Sequence, residues 1–269
     1  MSKLISVIMG IYNCGNTLAE ALDSIIAQTY ENWEIIMCDD GSSDNTLEVA
    51  ENYVNRFPDK IRLLKNEKNM GLNFTLNKCL KETKGFYIAR MDGDDISHPE
   101  RFSEELKLFE VNPEISIVSS PMELFDEEGV WGRTSVKVCP QKRDFVKSTQ
   151  FCHAACMVKK EAYDAVGGYS VDKKLLRVED YHLWIKMYQK GYIGMNIEKP
   201  LYKMRDDRNA QARRKFRYRL NEAYVKHYAI RHFGLPIQNY IYCLKPIILG
   251  LTPSFIYKIL HRRKNSGEN

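Results

Sequence analysis

Met91-Asp92-Gly93-Asp94-Asp95 sets three carboxylates within four residues. Gly85-Phe86-Tyr87-Ile88-Ala89-Arg90-Met91 runs into it as a strand that must end there, and Ile96-Ser97-His98-Pro99 leads out towards a helix starting near Pro99. Two carboxylates about 4 Å apart repel by roughly 4 kcal/mol at an effective dielectric near 20, and by about 1 kcal/mol in water. A divalent cation removes that repulsion, and an all-oxygen ligand set suits Mg²⁺ or Mn²⁺. The turn alone leaves two readings open: a cation site, or a solvated acidic turn that caps the next helix.

Working outward, the chain before the turn repeats one pattern. Leu4 to Gly10 is a short apolar, β-branched run of the kind found in a buried parallel strand. A turn at Ile11 to Asn16 leads to a helix carrying Leu18, Leu22, Ile25 and Ile26 at helical spacing. Trp33 to Cys38 is a second strand, ending in the polar stretch Asp39-Asp40-Gly41-Ser42-Ser43-Asp44-Asn45-Thr46 before another helix. Ile61 to Leu64 is a third strand, with a helix from about Leu72 to Lys81. Four strand–helix units in series predict right-handed crossovers and a largely parallel sheet flanked by helices, an α/β fold. Ligands bind such sheets beyond the carboxyl ends of the strands. Tyr12-Asn13, Asp39-Asp40 and Asp92 to Asp95 all follow strand ends, so they are expected on one edge.

The second half is less regular. Glu114 to Ser119 and Phe151 to Val158 read as strands, with a hairpin turn at Glu127-Glu128-Gly129 between them. Glu179-Asp180 opens a helix with Leu183, Trp184, Met187 and Tyr188 as its core stripe, and Asp180 has the makings of an N-cap. Carboxylates at a helix N-terminus are held ionised, as a general base must be. Arg213, Arg214, Lys215, Arg217 and Arg219 lie on a helix that continues to about Phe233, with Phe216, Leu220, Ala223, Tyr224 and His227 on one face.

Charge is distributed unevenly along the 269 residues. From Leu201 onward there are 15 Lys and Arg against 4 Asp and Glu, a charge of +11, so a net of +5 leaves the first 200 residues at −6. An acidic body with a basic tail argues against nucleic acid as the partner, whose footprint would fall on the body. Apolar stretches at Ile237 to Leu251 and Pro253 to Leu260 are broken by Lys245, Pro246 and Pro253, short of the ~20 residues a spanning helix needs. With basic flanks they suit the surface of an anionic membrane, or else a helical appendage packed on the body. The seven cysteines are odd in number, form no Cys-x-x-Cys, and follow no secretory signal, which points to a reduced, cytosolic setting. Cys152-His153-Ala154-Ala155-Cys156 lacks a second ligand pair for zinc. His153 reads as a structural histidine, with contact to acceptor or metal as its alternative role.

Ser6-Val7-Ile8-Met9-Gly10-Ile11-Tyr12-Asn13, Asp39 to Thr46, Asn69-Met70-Gly71-Leu72, Ala89 to Asp95 and Glu179-Asp180-Tyr181-His182-Leu183-Trp184, in this order, resemble the family 2 glycosyltransferases. These are inverting enzymes with the GT-A fold. The resemblance runs from about Leu4 to about Arg205. It implies a catalytic domain over 1–205 and a basic helical extension over 206–269. It also implies a nucleotide-diphosphate-sugar donor, bound by Tyr12, Asp40 and Asp39 at base and ribose. Asp92 would face the ribose or the metal, and Asp94 would be the main protein ligand of Mn²⁺ or Mg²⁺. Asp95 is a neighbour without an assigned contact. Asp180 would be the general base, with Glu179 as fallback, and Arg205 would lie near the diphosphate. The acceptor implied is a lipid-linked or other glycan of capsule or exopolysaccharide synthesis, met at the inner face of the cell membrane. Two other classes compete. A nucleotidyltransferase would carry a Gly-rich, Arg-containing loop after its first strand, whereas Ile11 to Thr17 has one Gly and no Arg. A non-catalytic membrane-surface module would have no use for intact acid clusters.

Overall fold

A computed structural model of the chain describes residues 2–206 and 215–251. Its main sheet has seven strands. β1 (Ile5–Ile11), β2 (Trp33–Asp39), β3 (Ile61–Lys65) and β4 (Tyr87–Arg90) pair in parallel in the order β3-β2-β1-β4. The crossovers are α1 (Leu18–Ile26), α2 (Thr46–Arg56) and α3 (Leu72–Glu82). β9 (Met157–Lys159) then joins antiparallel to β4, and the parallel pair β6 (Ile115–Ser119) and β10 (Ile193–Asn196) completes the sheet. A smaller sheet runs β5 (Ile96–Ser97), β11 (Tyr202–Arg205), β7 (Met122–Asp126) and β8 (Gly129–Arg133).

Strands buried on both faces divide their side chains between two cores. Ile5, Val7, Met9 and Ile11 of β1 join α1, α2 and α4 (Arg101–Val111) on one face, while Ile8 joins the other core with α3, α5 (Lys160–Val166), α6 (Glu179–Gln189) and α7 (Phe216–His232). Beneath β4, the fully buried Arg101 pairs with Glu105 at 3.3 Å and donates to the carbonyls of Arg90 and Cys156. Burial pushes the Glu105 carboxyl up to about 7, against the pull of Arg101.

Three expectations are corrected. Of the strand foreseen from Phe151 to Val158, only Met157–Lys159 forms; His153–Ala155 is a single 3-10 turn. The bend is held from outside, by Ser119 Oγ, which donates to the Cys152 carbonyl and accepts its N–H. Asp180 is not the cap of α6: that position is Val178, which makes no side-chain bond, and Asp180 is the second helical residue. Lastly, α7 begins at Phe216, and its face of Phe216, Leu220 and Tyr224 is turned outward. Asn221, Val225, Lys226, Ala229 and Ile230 are buried instead. Lys226 anchors that side by donating to the carbonyls of Val146 at 3.0 Å and Lys147 at 2.6 Å. Arg213, Arg214 and the stretch from Pro253 lie outside the described residues. After a 3-10 turn at Ile237–Tyr240, α8 (Ile241–Leu251) closes the described chain.

Candidate active site

The acidic turn follows β4 and precedes β5, at the junction of the two sheets. Gly93 is needed there because a Cβ would sit 2.7 Å from Cys14 Sγ and 3.3 Å from Ile11 Cγ2. That close approach lets Thr17 Oγ1 donate to the Gly93 carbonyl at 3.0 Å, joining the loop after β1 to the turn. Asp94 is exposed, Asp92 half-buried and Asp95 buried, yet one carboxylate oxygen from each lies within 4.8 Å of the others. Burial first, then the charges of Asp92 and Asp94, push the Asp95 carboxyl well above the usual range. Oxygen-only donors at this spacing fit a hard divalent cation.

Two arginines frame the turn. Arg90, buried at the end of β4, grips both oxygens of Asp92 in a bidentate fork. Tyr202 Oη accepts the Asp92 N–H at 3.2 Å from below. Arg205 spans the other side. Its N–H donates to Asp95 Oδ1 at 2.9 Å, its Nε to the Asp94 carbonyl at 3.0 Å, and its Nη2 to Glu20 Oε2 at 2.6 Å, with the guanidinium 4.6 Å from the Phe125 ring centre.

The turns after β1 and β2 reach the same edge and bind each other. Asn13, at φ +48°, accepts the Ser43 N–H on its side chain, and its own N–H donates to Ser42 Oγ. Asp39 accepts the N–H and hydroxyl of Ser42. Asp40 accepts from Asn66 Nδ2 and the Met70 N–H at 2.8 Å each and from the Gly71 N–H at 2.9 Å, holding the start of α3. Both carboxylates are buried and engaged with the framework. Tyr12 differs: its ring is 48% exposed beside these turns, a platform for stacking.

Asp180 is carried by α6, which packs through Trp184 on the His153 turn beside β4. It stands one helical turn before Trp184, whose ring lies 6.0 Å from that of His153. The Arg90 charge acts on both Asp180 and His153. Asp180 keeps some open surface but is enclosed on most sides, and burial followed by the Glu179 charge lifts its carboxyl to about 7. Glu179 Oε2 is buried and has no hydrogen-bond partner among the described residues. His153 is kept neutral, its pKa pushed well below the usual value by burial and then by Arg90; its Nε2 bonds Tyr169 Oη at 2.7 Å, which in turn meets Tyr163 Oη.

Tyr12, Asp39, Asp40, Asp92, Asp94 and Asp95 therefore gather at the carboxyl ends of β1, β2 and β4, as the chain order predicts; Arg205 joins them from β11, and Glu179 and Asp180 open α6. Sequence reasoning gave no role to Arg90, Tyr202 or Glu20. One signal was available: residues two apart on an extended chain share a face, which sets Arg90 beside Asp92. Tyr202 and Glu20 come from distant segments and carried no such mark. A groove of about 720 Å³ between α3 and α5, lined by Phe74, Lys78, Tyr163 and Gly168 among others, includes none of the site residues.

The sequence profile described as Glycosyl transferase family 2 matches residues 6–167. EpsE of Bacillus subtilis (strain 168), provisionally named a glycosyltransferase, is 40% identical over 260 residues, covering 97% of this chain and 94% of that protein. WfgD of Escherichia coli, a UDP-Glc:alpha-D-GlcNAc-diphosphoundecaprenol beta-1,3-glucosyltransferase, is 32% identical over 193 residues, 71% of this chain and 72% of its own. Among solved structures, the mannosyltransferase PcManGT from Pyrobaculum calidifontis, in complex with GDP-Man and Mn²⁺, superimposes with a TM-score of 0.62 at 20% identity over 97% of this chain and 68% of that one. At that identity the likeness carries the fold, which is GT-A.

Proposed function

The chain belongs to glycosyl transferase family 2 and is a glycosyltransferase, and from that premise we propose that it moves a sugar, with inversion, from a nucleotide-diphosphate donor to a hydroxyl of a lipid-linked glycan in cell-surface polysaccharide synthesis. The observation that carries this reading is the acidic turn at the end of β4, where carboxylate oxygens of Asp92, Asp94 and Asp95 lie within 4.8 Å of one another.

In this reading Tyr12 stacks on the base. Asp39 and Asp40 hold the walls of the nucleotide pocket, Asp92 faces the ribose side, and Arg205 stands by the diphosphate. Asp94, with Asp92, would hold Mn²⁺ or Mg²⁺, which when bound neutralises the leaving diphosphate. Asp180 accepts the proton of the acceptor hydroxyl as its oxygen bonds to the anomeric carbon and the bond from that carbon to the diphosphate breaks. Glu179 beside it raises its affinity for that proton. One displacement with one base inverts the carbon. The glucosyltransferase activity of WfgD on a diphosphoundecaprenol acceptor supports a diphosphate-lipid acceptor here and makes UDP-glucose the first donor to try.

We assign 1–205 to the catalytic unit and 206–269 to the basic extension, docked through α7. Peripheral contact with an anionic membrane at the cytoplasmic face belongs to the same reading. Exposed Ile241, Leu244, Lys245, Ile248 and Leu251 recur on α8 at helical spacing, and α7 adds exposed Phe216, Leu220 and Tyr224. No helix among the described residues is long and apolar enough to cross a membrane.

The test is a thermal-shift panel of UDP-, GDP- and dTDP-sugars with and without Mn²⁺. A donor at 100 times its dissociation constant adds about 2.7 kcal/mol of stability. The reading predicts one base and sugar that do so only with Mn²⁺, followed by release of the nucleoside diphosphate when acceptor is added. No stabilisation by any nucleotide sugar would overturn it.

A further inference from the structure

Tyr163, Tyr169 and His153 form a chain of hydrogen bonds that ends at an unpaired ring nitrogen. Tyr163 Oη meets Tyr169 Oη at 3.0 Å, and Tyr169 Oη meets His153 Nε2 at 2.7 Å. Both tyrosines are at most 3% exposed, so each hydroxyl hydrogen needs an acceptor within the chain. Only one direction supplies two. Tyr163 donates to Tyr169, Tyr169 donates to His153 Nε2, and the proton of the neutral ring is left on Nδ1. In the opposite direction His153 Nε2–H would donate to Tyr169, and the Tyr163 hydrogen would have no acceptor among the described residues. Tyr169 is itself fixed from α3: its N–H donates to Asn77 Oδ1 and its carbonyl accepts from Asn77 Nδ2, at 2.8 Å each. Gly168, at φ +68°, permits this clamp, since a Cβ would fall 2.5 Å from Asn77 Oδ1.

The 3-10 turn that carries His153 is tied to the strand ending in the acidic turn. The Arg90 N–H donates at 3.0 Å to the carbonyl of Cys156, the residue that closes the 3-10 turn. The same turn packs on β4 and β11, and the His153 ring meets Trp184 of α6 edge-on at 6.0 Å, one helical turn after Asp180. His153 therefore lies between the acidic turn, assigned to the diphosphate, and the helix assigned to the base. It keeps some open surface, and its Nδ1 neither bonds any described residue nor is buried. A protonated Nδ1 has no lone pair for a cation, which removes the metal role that the sequence left open.

We propose that His153 is a specificity-determining residue: its Nδ1–H, locked by Tyr169 and Tyr163, donates to a hydroxyl of the sugar held between the acidic turn and α6. The inference rests on the sugar-transfer reading, but the position of the proton is tested without substrate.

Nitrogen-15 resonances of the imidazole, assigned by their loss in His153→Phe, read the tautomer in the wild-type protein. The hydrogen is expected on Nδ1, and an Nε2–H ring overturns the proposal. Tyr169→Phe is expected to release the lock, so that Nε2–H appears as well; an unchanged ring there overturns the role given to the tyrosines. Binding is read by calorimetry with Mn²⁺, using as paired probes the nucleotide sugar that stabilises the wild type and its nucleoside diphosphate. His153→Phe keeps a ring without a donor. It is expected to bind the nucleotide sugar about 3- to 10-fold more weakly, as the loss of one hydrogen bond does, and the nucleoside diphosphate as before. If the hydroxyl belongs to the acceptor instead, both probes bind as before and the same factor appears in the acceptor KM. His153→Asn, whose amide nitrogen reaches the Nδ1 position, is expected to regain most of the loss in either case. Equal weakening of both probes would mark a structural histidine and overturns the proposal, as does a His153→Phe that matches wild type in all three measurements. If His153→Phe does not fold, His153→Gln decides, because its amide reaches Tyr169 but not the Nδ1 position: unchanged nucleotide-sugar binding with unchanged acceptor KM overturns it. Failure of the sugar-transfer reading shows separately, as a wild-type protein that no nucleotide sugar stabilises while Nδ1–H is still seen.

Discussion

The main-chain N–H of Arg205 donates to Asp95 Oδ1 across 2.9 Å, so this buried carboxylate is fastened to β11, while Asp94 beside it stays exposed. Two neighbouring acids therefore have different work. Asp94→Ala is expected to melt within about 0.5 kcal/mol of wild type, as surface changes do, and to lose Mn²⁺-dependent nucleotide binding. Asp95→Ala leaves a strand N–H unpaired and is expected to lose about 1–3 kcal/mol. Melting curves with Mn²⁺ titrations of both variants check the pair of outcomes.

Asp180 makes the fold less stable above neutral pH. Its folded pKa, about 7, lies above its ordinary 3.8, so between these values the native state holds more protons than the unfolded one. Stability from this group is fully present below pH 3.8 and is lost as pH rises through 7. Asp180→Asn cannot ionise, so it should exceed wild type at pH 8 by roughly 2–4 kcal/mol, the difference fading towards pH 4. Urea unfolding of both proteins across this range reads the effect. A variant less stable than wild type at pH 8 would contradict it.

With Asp180 as the proposed base, the same residue would set the pH dependence of transfer. A base must be ionised to accept a proton, so turnover should fall on the acid side with a midpoint near 7. Asp180→Asn should keep donor binding and lose roughly 100- to 10,000-fold in rate. Donor calorimetry beside initial rates distinguishes this from loss of the site as a whole.

Lys226 is fully buried on α7, with its ammonium on the carbonyls of Val146, which ends a 3-10 turn, and of Lys147 just after it. Lys226→Met keeps the stem and leaves both acceptors unmet. It should cost about 1–3 kcal/mol and loosen α7 from the body, seen as faster amide exchange along the helix with nucleotide binding kept.

On α8, Leu244→Glu and Ile248→Glu put charge into the exposed apolar stripe. If that stripe meets lipid, both variants should sediment less with vesicles containing anionic lipid, while wild-type binding weakens as salt rises. Equal recovery of wild type and variants with the vesicles would remove the membrane from the account.

β1, β2 and β4 were legible because burial on both faces leaves continuous apolar runs, and their polar ends named the edge where ligands gather. The bend at His153 was not, since Ser119, more than thirty residues away, holds it. Which face of α7 meets the body was hidden for a different reason. Apolar spacing groups Phe216, Leu220 and Tyr224 on one face, but the side that packs is held by Lys226, buried on carbonyls from another segment, and periodicity cannot see such partners. At the site, residue types announced acids and aromatics. Which acids were already engaged could only follow from the fold: Asp40 reads in sequence like Asp94, yet it holds the start of α3.

The loops after β1, β2 and β4 are stitched largely through main-chain groups: Asn13 to the Ser43 N–H, Asp40 to the Met70 and Gly71 N–H groups, Thr17 to the Gly93 carbonyl. Such stitches are indifferent to the side chains displayed beside them. A substitution at the exposed Tyr12 can therefore change what the rim presents to a ligand while the rest of the rim stays put.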